Sequence, residues 1–385
     1  MALPAENAVK ADVPADDDTI TLFLCGDMMT GRGIDQILAH PCDPTLYEPC
    51  VKDARCYMDL AQEAHGPIPY PVADDYIWGD ALDEWRRAAP DARIVNLETA
   101  VTTSDRHWKG KDIHYRMSPQ NAGCLKAAQI DCCALANNHV LDWGYAGLVE
   151  TLESLQQAGL QTPGAGRNQA EAEAPAIMRA GAKGRVLVFS FGSETSGIPL
   201  AWSAGEDRPG VNLLSDFSTA TVEQIAKTIA HDRRERDVVV ASIHWGGNWG
   251  YAVSSEQQQF AHDVIDSAGV DLVHGHSSHH VKGIEVYRER LILYGCGDFL
   301  TDYEGIPGYE MFRGDLALMY FASFAASSGR LVALNLVPVQ IHKMRLRRTS
   351  AADAVVVLTV LNREGKRLGT RASMREDGLL SLEPL

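Results

Sequence analysis

Positive charge is scarce in this chain. Its 35 Lys and Arg stand against 51 Asp and Glu, a formal net charge of -16. Nucleic-acid binding needs clustered Lys and Arg, and no long basic stripe is present, which argues against a nucleic-acid partner. Cysteine is thin as well. Eight thiols in 385 residues are too dilute for a disulfide scaffold, and none forms the CxxC pair of a structural zinc site. A reducing compartment fits; Cys42, Cys50 and Cys56 are the one local group from which a metal site or a bridge can be built. Long apolar runs are missing too, since none reaches the roughly 20 residues of a spanning helix. The opening "MALPAENAVKADVPADDDTI" has no basic region followed by an apolar stretch, so neither signal peptide nor anchor is expected, and a cytoplasmic location is.

What is present reads as a globular α/β chain, 45% hydrophobic and 22% charged. Residues 1–18, rich in Ala, Pro and Asp, read as a disordered leader, and 19–385 as one large elaborated domain. A grammar repeats along it: an apolar run, then polar residues of special chemistry, then an amphipathic stretch. Strands are predicted at 20–27, 93–98, 132–139, 185–191, 237–246 and 270–276, and helices at 145–159, 218–235 and 254–269, with Ser254 as a cap and Gly159 and Gly269 as stops. This alternation implies parallel pairing with functional residues at the strand ends. Residues 40–80, with little periodicity, read as an insertion near the site's mouth. From 283 to 385 antiparallel hairpins, a helix and a last short strand are expected.

The polar strand ends carry the chemistry. They are Asp27 in "CGDMMTGRG", Asn96 and Glu98 in "VNLET", Asn137, Asn138 and His139 in "LANNHVLDWG", His244 in "SIHWGG", and His276 and His279 in "GHSSHH". Singly, each has a bland reading as a turn, a cap or a satisfied core imidazole. Five such clusters after five apolar runs make a mixed O/N ligand set the better explanation. It suits one or two divalent ions, Mn, Zn, Fe or Ca, rather than a thiolate zinc knot. A bridging carboxylate would let two ions generate a hydroxide nucleophile from bound water.

Together "GDMMTGRG", "NLETAVT", "LANNHVLDWG", "HWG" and "GHSSHHVKGIEVYRERLILYGCGDF" resemble the CapA (PgsA-like) family of poly-γ-glutamate capsule biosynthesis proteins, in the calcineurin-like metallophosphoesterase superfamily. The resemblance implies a layered α/β/β/α sandwich with mixed sheets, plus the C-terminal hairpins. It also implies that Asp27 binds a first metal and Glu98 bridges, that Asn138, His244 and His276 hold a second, and that His279 returns to the first. His139 would sit beside the substrate, oriented by Asp142, with Arg32 available for an anionic group; Asn137, Trp245 and Asp298 are further candidate substrate contacts. The sequence departs from the family pattern in three places. Met29 stands where Asp-x-His is usual, which leaves a single-metal site open; "GHSSHH" replaces Gly-His-His-Pro-His; and "YGCGDF" puts Cys296 and Asp298 where either can move protons, unless Cys296 is an interior thiol.

Three kinds of function follow. One is metal-dependent hydrolysis or transfer on a peptide or poly-γ-glutamate-like polymer, with phosphoesters as an alternative substrate and biosynthetic proteins as partners. A second is metal-dependent peptide epimerisation of the lasso-peptide type, with acid and base drawn from Asp27, His139, His279 and Cys296. The third is a scaffold that keeps the fold without chemistry.

Overall fold

In the computed structural model, which describes residues 18–304 and 308–384, the period-2 alternation of the strands sorts the core into layers. The strands of the two large sheets are β1 (Thr19–Met28), β2 (Ala92–Leu97), β3 (Cys132–Ala134), β4 (Ala176–Arg179), β5 (Arg185–Gly192), β6 (Asp237–His244), β7 (Leu272–His276), β8 (Ile284–Tyr287), β9 (Arg290–Leu293), β10 (Asp298–Leu300), β11 (Leu316–Ala325), β12 (Arg330–Ile341), β13 (Leu346–Arg348), β14 (Thr370–Met374) and β15 (Leu380–Pro384). Along β1, Ile20, Leu22 and Leu24 face one apolar cluster while Phe23 and Cys25 face another. Along β5, Val186 and Val188 join the cluster of Ile20, whereas Leu187, Phe189 and Phe191 enter a third. The shared cluster is therefore the interface between two sheets.

Helices cover the outer faces. The five longest are α1 (Arg55–His65), α2 (Gly144–Gln157), α3 (Thr219–Asp232), α4 (Ser255–Ala268) and α5 (Ala351–Leu368), of which α5 instead sends Val357 and Leu361 into the cluster between the sheets. Leu148, Leu152 and Leu155 of α2 pack beside Phe23, while Val222 and Ile225 of α3 and Phe260 and Val264 of α4 pack beside Phe189. The layers run α/β/β/α, as expected. One sheet has nine strands in the order β14-β15-β12-β11-β1-β2-β3, with β10 beside β1 and β13 beside β12; the other has six, β8-β9-β7-β6-β5-β4. Parallel pairing joins β1, β2 and β3, and again β5, β6, β7 and β9. Their C-terminal ends accordingly gather at one rim.

The hairpin of β11 and β12, the helix α5 and the last strand match the reading of the C-terminal region. Ser254 caps α4 in a capping box with Gln257, and Gly269 ends it at φ +72. The 40–80 segment, read as an insertion, holds α1, whose Tyr57 and Ala61, four residues apart, are buried. The run read as a strand over 132–139 pairs only through Ala134, because 135–139 turns inward as a loop. The leader expected over 1–18 lies, apart from Asp18, outside the described residues. All eight cysteines are free. Among the described residues, no helix is long and apolar enough to cross a membrane.

Candidate metal centre and acid-base site

The rim draws its donors from both sheets. Asp27 is the last residue but one of β1, Glu98 follows β2, Asn138 follows β3, His244 ends β6 and His276 ends β7. Asp27, His244 and His276 are wholly buried, and a ligand atom from each lies within 4.8 Å of the others.

The hydrogen-bond network fixes the tautomers. His274 Nε2 lies 2.7 Å from the Cys25 carbonyl, which can only accept, so this nitrogen carries the proton. His274 Nδ1 then accepts from the Ser242 hydroxyl at 3.1 Å, and Ser242 Oγ accepts from His276 Nε2 at 2.9 Å. His276 Nδ1 is left with a bare lone pair. His244 Nε2 donates to Asn138 Oδ1 at 3.1 Å, which leaves His244 Nδ1 bare as well. These two Nδ1 atoms stand 2.8 Å apart, and each is 3.9 Å from Asp27 Oδ1. Two lone pairs and a carboxylate facing one another away from water are unfavourable unless a proton or a metal cation lies among them. The donor set therefore fits a divalent ion of the borderline class.

Charge points the same way. Burial first, and then the charge of Asp298, push the Asp27 carboxyl up to about 7, although Asn96 donates to it at 2.7 Å and the Ser277 N–H at 3.0 Å. Burial and then the charges of Asp27 and Asp298 hold Glu98 well above the ordinary carboxylate range. Acidic groups gathered at one buried point repel until a cation joins them. Ser277, at φ +105, is strained for an L residue, and the strain aims its N–H at Asp27.

The expected ligand set is brought together in two groups rather than one. His244 presents Nδ1 to Asp27 and His276, and Nε2 to Asn138 and to Glu98 Oε1 at 3.7 Å. His139 Nε2 approaches the same Glu98 oxygen at 3.9 Å. His279 turns instead to Asp298, with Nδ1 at 2.9 and 3.1 Å from its two oxygens. Asp298 lies beside Asp27 in register, because β10 pairs with β1.

His139 and His279 are tuned in opposite directions. His139 Nδ1 is 2.6 Å from Asp142 Oδ2, and its ring stacks on Tyr115 at 3.7 Å. Burial and then the Lys111 ammonium hold it well below the usual imidazole value, so its Nε2 is a free base. Burial also lowers His279, but the Asp298 carboxylate more than offsets it, and the net shift is upward. The two imidazoles are thus pushed apart in proton affinity, His139 downward and His279 upward, the pattern by which paired groups take on base and acid character.

Four candidates fall elsewhere, and each correction has a physical cause. Arg32 is not available to an anion: it is buried, with Nε and Nη2 on Asp302 at 3.2 and 2.5 Å and Nη1 on Glu48 at 2.9 Å and Tyr57 at 3.0 Å. Trp245 points to the opposite face of β6 from His244 and packs on Phe260, its Nε1 donating to the Tyr294 carbonyl at 3.1 Å. Cys296 is an interior thiol of the inter-sheet core, and burial keeps it protonated. Asn137 is spent within the chain: its amide donates to Leu97 O at 2.9 Å, and its oxygen accepts from the His139 and Val140 N–H groups at 3.1 Å. Sequence reasoning missed Lys111, whose Nζ meets Asp142, the Asn138 carbonyl and His139 Nδ1, and missed Tyr115 and Tyr303, whose hydroxyls bond each other. The one signal for Lys111 and Tyr115 was the His-, Trp- and Lys-rich run "RHWKGKDIHY" after "NLETAVT"; Tyr303 stands far from it, in "DFLTDY".

Fold and site together define a four-layer α/β/β/α protein with a cation-seeking donor cluster at the ends of its parallel strands. The chain belongs to the family described as "Bacterial capsule synthesis protein PGA_cap", which matches residues 21–303. It is 44% identical over 368 residues to the "Probable polyglutamine synthesis accessory protein" of Mycobacterium tuberculosis, covering 95% of this chain and 97% of that one. It is 25% identical to the "PGA biosynthesis protein CapA" of Bacillus subtilis, covering 87% and 76%, and 24% identical to the "Capsule biosynthesis protein CapA" of Bacillus anthracis, covering 94% and 78%.

Proposed function

We propose that this protein is a metal-dependent enzyme of capsule or cell-envelope biosynthesis that acts on a peptide or poly-γ-glutamate-like polymer by acid-base chemistry at an amide carbonyl. The opposed tuning of His139 and His279 beside a buried cation-seeking floor carries this reading. The names of the relatives supply the polymer class. Asp27, His244 and His276 would hold the ion, with Glu98 and Asn138 on the far nitrogen of His244. When bound, such an ion supplies Lewis acidity toward a carbonyl and acidifies water.

The chain's own groups do the rest. His139 Nε2, its Nδ1 proton directed at Asp142, accepts a proton at the mouth. His279, whose proton affinity the Asp298 carboxylate raises, donates one from another side. Lys111 fixes Asp142 and the Asn138 carbonyl, so the loop carrying both Asn138 and His139 keeps its shape. Amide hydrolysis or transfer uses the base to deprotonate the attacking group and the acid to protonate the departing amine. The test is turnover of γ-linked glutamate oligomers by metal-loaded protein. Asp27→Asn and His244→Ala are expected to lose both bound metal and turnover, and undiminished product from either variant would sink the reading.

A second reading, peptide epimerisation, draws on the same pair, since two imidazoles of lowered and raised proton affinity can remove and replace an α-proton. Deuterium entering a single Cα from heavy water, with no new amine ends, would decide for it.

A further inference from the structure

A second group of ligand-type side chains lies outside the rim. His65 is the last residue of α1, Glu304 follows the segment that carries Asp302 and Tyr303, and His342 opens the turn between β12 and β13. A ligand atom from each lies within 4.8 Å of the others. His65 Nε2 is 3.2 Å from Glu304 Oε2, and the two imidazole rings are 4.3 Å apart, centre to centre.

The local backbone is built to hold this group. The turn closes with the His342 N–H on the Arg345 carbonyl at 2.9 Å, and both central residues, Lys343 at φ +57 and Met344 at φ +53, are left-handed. Such a turn asks for Gly or Asn at these positions. Here it is kept by two anchors. Met344 is wholly buried, and the successive N–H groups of Lys343 and Met344 both donate to the Glu304 carboxylate, the first at 2.6 Å. Those bonds orient the carboxylate, as outer contacts orient a metal ligand. The side chain of His65 is about one-third exposed (32%), which leaves a coordination position open to solvent.

We propose that His65, Glu304 and His342 form a second divalent-cation site, of the zinc class, that ties α1, the 301–304 segment and the β12–β13 turn together. Two imidazoles and one carboxylate are the mixed N/O set that zinc and its neighbours prefer. Ligand atoms around a tetrahedral ion at about 2.1 Å stand about 3.4 Å apart, so the present spacing needs only a small closure. The charges of Lys343, Arg345 and Arg347 nearby temper the affinity. The ion would steady the stretch from Asp302, which neutralises Arg32, to Tyr303, which packs edge-on against His279 at 5.9 Å.

This site is independent of the strand-end reading, and one experiment separates them. Full-length protein is stripped with chelator and titrated with zinc, and bound ions per chain and the unfolding temperature are followed for the native sequence, for His244→Ala, and for His65→Ala with His342→Ala. The double variant is expected to bind one zinc fewer than the native chain and to lose part of the zinc-induced rise in unfolding temperature, whether or not His244→Ala removes another ion. Cobalt added in place of zinc should lose, in the double variant, a visible absorption component that His244→Ala retains. Unchanged stoichiometry and an unchanged rise would overturn the proposal and leave a His–Glu hydrogen bond only. Should the double variant fail to fold, His65→Gln at the exposed helix end gives the answer. A fall in zinc affinity of about ten-fold or more is expected, and equal affinity overturns the site.

Discussion

At the residue scale the sharpest expectation concerns the pair Lys111 and His139. The Lys111 charge lowers the imidazole's proton affinity, second only to burial. A base must be neutral to act, so its titration sets the acidic limb of the rate profile. Lys111→Met removes the neighbouring positive charge and lets the His139 value rise, and the acidic limb should therefore move to higher pH. His139→Asn should lower kcat by about 10²–10⁴-fold with a smaller change in KM. A pH–rate profile of both variants checks the pair; a limb that stays in place for Lys111→Met would remove the lysine from the tuning of the base. Arg32 makes the contrasting case. Its charge was legible, but its burial was not, because its acidic partners Glu48 and Asp302 stand 16 and 270 positions away. Arg32→Met strands two carboxylates in the interior and should cost about 3–5 kcal/mol in urea unfolding. A change in KM without loss of stability would restore it as an anion site.

At the element scale, alternation and punctuation were readable because they are local. Ile20, Leu22 and Leu24 had to share a face whatever lay opposite, and Ser254 with Gln257 closes a capping box within four residues. The helix α1 was hidden because its two buried positions, Tyr57 and Ala61, lie in a stretch crowded with polar residues. The loop after Ala134 was misread for a related reason: "LANNH" has the apolar look of a strand, yet Asn137 folds it back on itself. Which side of each strand faces the rim also needed the partner sheet, and this is why Trp245 and Cys296 were placed in the site. Gly26 shows how tightly the elements close there. A Cβ at Gly26 would lie 1.7 Å from the Gly297 carbonyl oxygen, in the stretch that runs into β10. Gly26→Ala should force β1 from β10, separate Asp27 from Asp298, and destabilise the fold by about 3 kcal/mol or more. Thermal and urea unfolding of the variant measure this, and native stability would show that the two strands can part without penalty.

At the scale of the whole molecule, the rim is where two sheets meet without apolar packing between them. Asp27, Glu98 and Asn138 belong to the nine-stranded sheet, and His244 and His276 to the six-stranded one, whereas deeper in the interface Leu24, Ile94, Val188 and Val240 pack directly. A cation among the rim donors is thus a tie between sheets, and binding it stabilises the folded chain alone, by about 2.7 kcal/mol when the free ion is at a hundred times its dissociation constant. Removing it returns the rim to facing lone pairs and crowded carboxylates, a penalty confined to that end of the sandwich. Chelation should therefore lower the unfolding temperature and raise amide hydrogen exchange locally, in the Asn137–Asp142 loop and in His276–His280. The paired stretches of β1 and β11 from Thr19 to Leu24 and from Tyr320 to Ala325, away from the rim and from the His342 turn, should keep their protection. Exchange that quickens evenly across both sheets, or not at all, would mean that the ion does not join them.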